Sequence, residues 1–105
     1  MDKEDIIKKA LLGERGEDQQ RIAQEGVKWL EQLLRKNNDY GTSVWKVPVF
    51  APNTDVSSAI FVRMSDKVER INSLLQKQEA EISESLEDTI SDLGSYCLLW
   101  LTRPQ

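Results

Sequence analysis

The chain contains no histidine. That absence removes the commonest general base, every Cys/His or Ser/His/Asp arrangement and nearly all zinc chemistry. The five glycines, at 13, 16, 26, 41 and 94, are scattered, so neither a Gly-rich phosphate loop nor a dinucleotide fingerprint is present. A single cysteine, Cys97, leaves no intrachain disulfide. It falls inside an apolar helical pattern, which predicts a packing role and fits a reducing compartment. No run of ~18 apolar residues is available for a membrane span. The opening stretch MDKEDIIKKALLGERG carries charges where a secretory signal needs an apolar run. The expected location is therefore the cytoplasm, with no membrane partner. Basic charge is also short: 14 Lys and Arg against 18 Asp and Glu give a net charge of −4. Long nucleic acid is gripped by clustered Lys and Arg, so it is an unexpected partner. A small anionic nucleotide is still compatible with an acidic chain when divalent cations bridge the two, and that route requires grouped carboxylates.

What is present is an ordinary globular composition, 39% hydrophobic and 30% charged over 105 residues, enough for one folded domain. Residues 2 to 12 have the periodicity of a short amphipathic helix, with Ile6, Ile7, Ala10, Leu11 and Leu12 inward and Gly13 as its stop. A second helix is expected from about Glu17 to Asn37, with Ile22, Ala23, Val27, Leu30, Leu33 and Leu34 on its apolar face. Residues 1–16 then form an N-terminal helical arm and residues 17–105 the main helical domain. Between Asp39 and Thr54, Gly41, Pro48 and Pro52 break any long helix while Tyr40, Val44, Trp45, Val47, Val49 and Phe50 stay apolar. Such a loop is expected to lie against the bundle as a lid or pocket wall. Thr54 or Asp55 caps a third helix that runs to about Gln78 on a spine of Ile60, Met64, Val68, Ile71 and Leu75. A fourth starts near Ser83 or Ser85 and runs to about Thr102 on Leu86, Ile90, Leu93, Cys97 and Trp100. The fold class is all-α, a small bundle of about four helices. Phe61 and Val62 point away from the third-helix spine, which predicts a homo-oligomer.

At about 100° per residue, Arg63, Asp66, Lys67 and Arg70 share one stripe of the third helix. The stripe is either a solvated face laced with weak ion pairs or a phosphate-facing surface with one metal ligand. On the fourth helix Glu84, Asp88 and Asp92 follow at four-residue steps, a like-charge ladder. The helix dipole accounts for the first two but does not reach Asp92. Asp92, Thr89 and Tyr96 make a second polar stripe. If the two helices pack antiparallel, both stripes border one groove holding Asp66, Asp88 and Asp92, the oxygen donors that Mg²⁺ requires.

Three segments, Lys36-Asn37-Asn38-Asp39-Tyr40-Gly41, Arg63-Met64-Ser65-Asp66-Lys67 with Arg70, and Glu84-Ser85-Leu86 through Asp88-Thr89 and Asp92-Leu93 to Tyr96, together resemble a phage and bacterial family. That family is nucleotide-modification-associated domain type 1, which is similar to the MazG-like all-α nucleotide pyrophosphohydrolases. The resemblance spans about Val27 to Leu101. It implies an oligomeric bundle in which helix-borne acids hold Mg²⁺ against a nucleoside triphosphate, canonical or modified, and water attacks the α-phosphorus to release pyrophosphate. In that reading Asp66, Glu84, Asp88 and Asp92 are metal ligands, Asp66 and Asp92 being also the catalytic, water-activating carboxylates. Arg63, Lys67 and Arg70 face phosphates, and Lys36, Asp39, Tyr40 and Tyr96 are substrate-side groups. The acids of the fourth helix step by four where the MazG-like pattern steps by three, and Glu69 is a secondary candidate three residues after Asp66. The competing expectation is a nucleotide-binding or protein-binding helical module without chemistry, such as a phage accessory or inhibitor protein.

Overall fold

The computed structural model describes residues 2–13, 15–41, 43–77 and 82–104, without the side chains of Tyr40, Ile82, Ser83 and Glu84. Its described residues form four α-helices and one short 3-10 turn, with no strand among them, so the all-α architecture is observed. The chain divides into two compact units, Met1–Gly41 and Thr42–Gln105.

The first unit is a hairpin of α1 (Lys3–Leu11) and α2 (Gly16–Tyr40). Asp2 caps α1 by accepting a hydrogen bond from the Asp5 backbone N–H at 2.9 Å. Lys3 reaches Glu31 at 2.9 Å and ties the two helices, and the nearby carboxylate holds the Lys3 ammonium pKa above its ordinary value. Helix α2 continues past Asn37 to Tyr40, where Gly41 takes φ of +67°, a conformation that disfavours any side chain. Asn37 secures this end twice: its carbonyl accepts from the Gly41 N–H at 2.7 Å and its amide donates to the Gly41 carbonyl at 3.1 Å. Leu33 is buried as expected, whereas Leu12, Ile22 and Leu34, assigned to inward faces by periodicity, are exposed.

The second unit is a hairpin of α3 (Val56–Leu75) and α4 (Ile82–Leu101), with the 3-10 turn η1 (Ser43–Trp45) packed on α3. Asp55 caps α3, accepting from the Ser58 N–H at 2.7 Å. The helices run antiparallel. The Trp100 indole donates to Ser57 Oγ at 2.9 Å at one end, and Lys67 meets Asp92 at 3.4 Å near the middle. Phe61 stacks on Trp100 with centroids 5.3 Å apart, and the Arg103 guanidinium lies 3.8 Å from the Trp100 ring centroid. Among the described residues of this unit, Val44, Ala59, Ile60, Leu74 and Thr89 are buried.

The packed faces of α3 and α4 are rotated from the expected spines. Ile60 is fully buried and Met64 and Ile71 are half-buried, but Val68 (52% exposed) and Leu75 (64%) face outward while Ala59 and Leu74 are buried. On α4, Ile90 and Cys97 are exposed and Thr89 is buried instead. Both rotations turn the helices toward their polar stripes. Small Ala59 permits close backbone approach, the Thr89 hydroxyl is satisfied by the Ser85 carbonyl at 2.7 Å, and the aliphatic stem of Lys67 lies along the seam with its ammonium at Asp92. Cys97 is thus a surface thiol, not a packing residue.

The loop before α3 is anchored to the unit at its beginning. Val44 is buried and the half-buried Trp45 donates its indole N–H to the Leu99 carbonyl at 3.1 Å. Two turns follow, closed by Ala51 N–H to Pro48 and Thr54 N–H to Ala51, each at 3.1 Å. Val49 and Phe50, expected to lie against the bundle, are exposed, Phe50 completely. With two prolines nearby, those turns carry the chain outward before Asp55 starts the helix.

Candidate functional site

Antiparallel packing brings two of the predicted stripes to one seam. With Lys67 opposite Asp92, three- and four-residue steps place Arg63 level with Tyr96, and Arg70 level with Asp88 and Thr89. Arg63, Lys67, Asp92 and Tyr96 are half-buried at the seam, while Asp66, Arg70 and Asp88 are exposed beside it. Three basic side chains from α3 and two carboxylates from α4 therefore border a single edge of the hairpin.

Lys67 and Asp92 pair with each other, at side-chain exposures of 28% and 37%. Both groups stay partly solvated, so the pair contributes on the scale of a surface ion pair, about 0–1 kcal/mol, and acts mainly by setting which groups face each other. The ammonium also answers the question left open by the four-residue ladder, since it supplies the counter-charge for the one acid beyond the reach of the helix dipole.

Among the described residues no three Asp, Glu or Cys side chains come together closely enough to hold a metal ion. Mg²⁺ needs fewer protein ligands when phosphates and water complete its shell, commonly one or two carboxylates. Asp88 and Asp92, one turn apart on the same side of α4, are a donor set of that kind. Hard carboxylate oxygens fit a cation carried in with phosphates and not a protein-only cage. The Glu84 carboxylate, the remaining proposed ligand, lies outside the described residues, as does the Tyr40 side chain.

Lys36 and Asp39 belong to the last turns of α2 in the first unit, and both are exposed. The same unit has an open depression near the start of α2, lined by Arg15, Asp18, Gln19, Arg21, Ile22 and Glu25, with Arg21 paired to Asp18. Sequence reasoning passed over it because these residues alternate charge in an ordinary exposed helical pattern. Trp45 and Trp100, by contrast, resolve into structural roles: each indole N–H is committed to a partner on another element.

Residues 36–103 match the family described as nucleotide modification associated domain 1. The match covers more than half of the 105-residue chain. The chain belongs to the nucleotide modification associated domain 1 family. The family region takes in the whole seam, Arg63 to Arg70 and Asp88 to Tyr96, and begins at Lys36, so that α1 and most of α2 lie outside it. The depression at the start of α2 lies outside it too. No curated protein and no solved structure matched the chain. Among the described residues no helix is long and apolar enough to cross a membrane.

Proposed function

We propose that this chain is a MazG-like, Mg²⁺-dependent nucleotide pyrophosphohydrolase, acting on a nucleoside triphosphate, modified or not, at the seam between α3 and α4. The observation that carries the reading is the juxtaposition of Arg63, Lys67 and Arg70 with Asp88 and Asp92 in a nucleotide-modification-associated family member. A triphosphate needs clustered positive charge for its oxygens and carboxylates for its cation, and this edge offers both. When bound, Mg²⁺ would supply charge neutralisation of the phosphates and polarise the attacked phosphorus. Arg63, Lys67 and Arg70 orient the phosphates, and the exposed Asp66 and the seam residue Asp92 are the carboxylates available to accept the proton of an attacking water. The oxygen of that water bonds to the α-phosphorus, the α–β bridging bond breaks, and its electron pair leaves with pyrophosphate. Tyr96 lies at the same edge as a substrate-side group.

Two further parts of the reading have their own support. Phe61, Val68 and Leu75, at seven-residue steps along one side of α3, are exposed, an apolar stripe suited to a second copy of the chain. The exposed, unbridged Cys97 fits the reducing cytoplasm.

The test is pyrophosphate release from a panel of ribo- and deoxyribonucleoside triphosphates with Mg²⁺, repeated with Asp92→Asn. The proposal expects turnover of at least one member and its loss in the variant. Turnover of none, or turnover indifferent to Asp92, would overturn it. The Lys67–Asp92 pair itself favours one second reading, a nucleotide-binding module without chemistry, because the acid is already neutralised. That reading expects triphosphate to raise the melting temperature without any metal and without product.

A further inference from the structure

The ion pair at the seam has a consequence for the order in which ligands arrive. Asp92 is the carboxylate that a phosphate-bridged cation would use, and Lys67 is one of the three basic side chains offered to a phosphate, yet the two are paired with each other at 3.4 Å. A divalent cation approaching Asp92 alone meets the Lys67 ammonium within a few ångströms. At an effective dielectric between bulk water and a protein surface, a unit charge ~5 Å from a divalent cation repels it by more than about 1.4 kcal/mol, a factor of ten in affinity. A metal–triphosphate removes that obstacle, because its oxygens give Lys67 a new partner as the cation takes the old one. Lys67 has the means to make this exchange: its chain is long and unbranched, and the pair is partly solvated.

Resting on the nucleotide reading above, we propose that Lys67 is the resident counter-ion of Asp92, which keeps the free protein from loading a divalent cation alone and makes uptake of cation and triphosphate joint. Lys67 acts here as a positioning residue and a gate. Binding is then synergistic in both directions, as linkage requires, since triphosphate raises the affinity for cation by the factor by which cation raises the affinity for triphosphate.

The experiment follows Mn²⁺ retained with the full chain in equilibrium dialysis, where the free ion and its tripolyphosphate complex both cross the membrane, with and without inorganic tripolyphosphate as a base-free probe. The expected result is weak Mn²⁺ uptake by wild type alone and by Lys67→Arg, which keeps the charge. Lys67→Met gains at least about tenfold in affinity for Mn²⁺ alone. That gain disappears in Lys67→Met combined with Asp92→Asn, and tripolyphosphate brings wild type up to strong uptake. Circular dichroism on each variant confirms that the helices are retained. The inference is overturned if Lys67→Met takes up Mn²⁺ no more tightly than wild type, or if its gain survives loss of Asp92. Failure of the nucleotide reading has a different signature: tripolyphosphate then changes nothing in wild type, while the comparison of Lys67→Met with wild type still decides whether the lysine guards the acid.

Discussion

Replacing Trp45 by Phe tests whether the loop before α3 is anchored as the structure indicates. The indole N–H donates to the Leu99 carbonyl at 3.1 Å, in the last turn of α4. The Leu99 carbonyl receives no N–H from Arg103, four residues on, which bonds instead to the Trp100 carbonyl; its other donor is the Thr102 hydroxyl, at 3.4 Å. Trp45 thus serves as a side-chain cap supplied from a distant segment. Phenylalanine keeps most of the ring and deletes the donor, so the loss is that of one partly buried hydrogen bond, about 1 kcal/mol. Trp45→Ala also forfeits ring packing. Since Trp45 is half-buried, the total is expected near 2–3 kcal/mol, below the ~3–5 of a fully buried aromatic. For a unit of this size each kcal/mol lowers the melting temperature by roughly 4–8 °C. Thermal unfolding followed by circular dichroism measures both variants, and amide exchange at residues 43–54 should accelerate in each. If Trp45→Phe melts with wild type while triphosphate binding collapses, the residue is a ligand stacker and the anchoring argument fails.

The other expectations concern the second unit. Ile60 has no exposed surface, so Ile60→Ala should cost about 2–5 kcal/mol and Ile60→Val about 0.5–1.5 in urea unfolding, with an unchanged denaturant slope; equal, small losses would mean that the hairpin is not packed on this residue. The Ser58 N–H and hydroxyl, donating to the Asp55 carboxylate, hold its pKa below the ordinary 3.8. A depressed folded value means the stabilisation is fully present above pH 3.8 and lost as pH falls through the lower, folded value. The stability advantage of wild type over Asp55→Asn should therefore shrink on acidification below that point; an advantage that stays constant through the acid range would refute the coupling.

Much of this fold was legible in periodicity. The positions of α3 and α4, the Asp55 cap and the absence of strand among the described residues follow from three- and four-residue apolar spacing with polar residues at the ends. The rotation of the packed faces did not. Val68 and Leu75 continue the apolar spacing as well as Leu74 does, and hydrophobicity alone cannot say which of two adjacent stripes meets a partner helix. The packed stripe holds Ala59, small enough for close approach, Lys67, whose ammonium meets Asp92 across the seam, and Thr89, whose hydroxyl is satisfied by the Ser85 carbonyl of its own helix and so costs little to bury. The same blind spot misassigned Cys97. The extension of α2 to Tyr40 was missed because Asn-Asn-Asp has the composition of a breaker, while Gly41, at positive φ, is the residue that ends the helix. At the candidate site, the two polar stripes were visible and the ion pair joining them was not, since pairing depends on register between helices and not on spacing within either.

The central claim is that a metal–triphosphate occupies the polar edge of the α3–α4 hairpin. A crystal structure of the chain with Mg²⁺ and an α,β-imido deoxynucleoside triphosphate tests it most directly. The account predicts density for a cation touching Asp92, phosphate oxygens against Arg63 or Arg70, and Lys67 turned from Asp92 to a phosphate. A nucleotide bound elsewhere, with the Lys67–Asp92 pair intact, would contradict it.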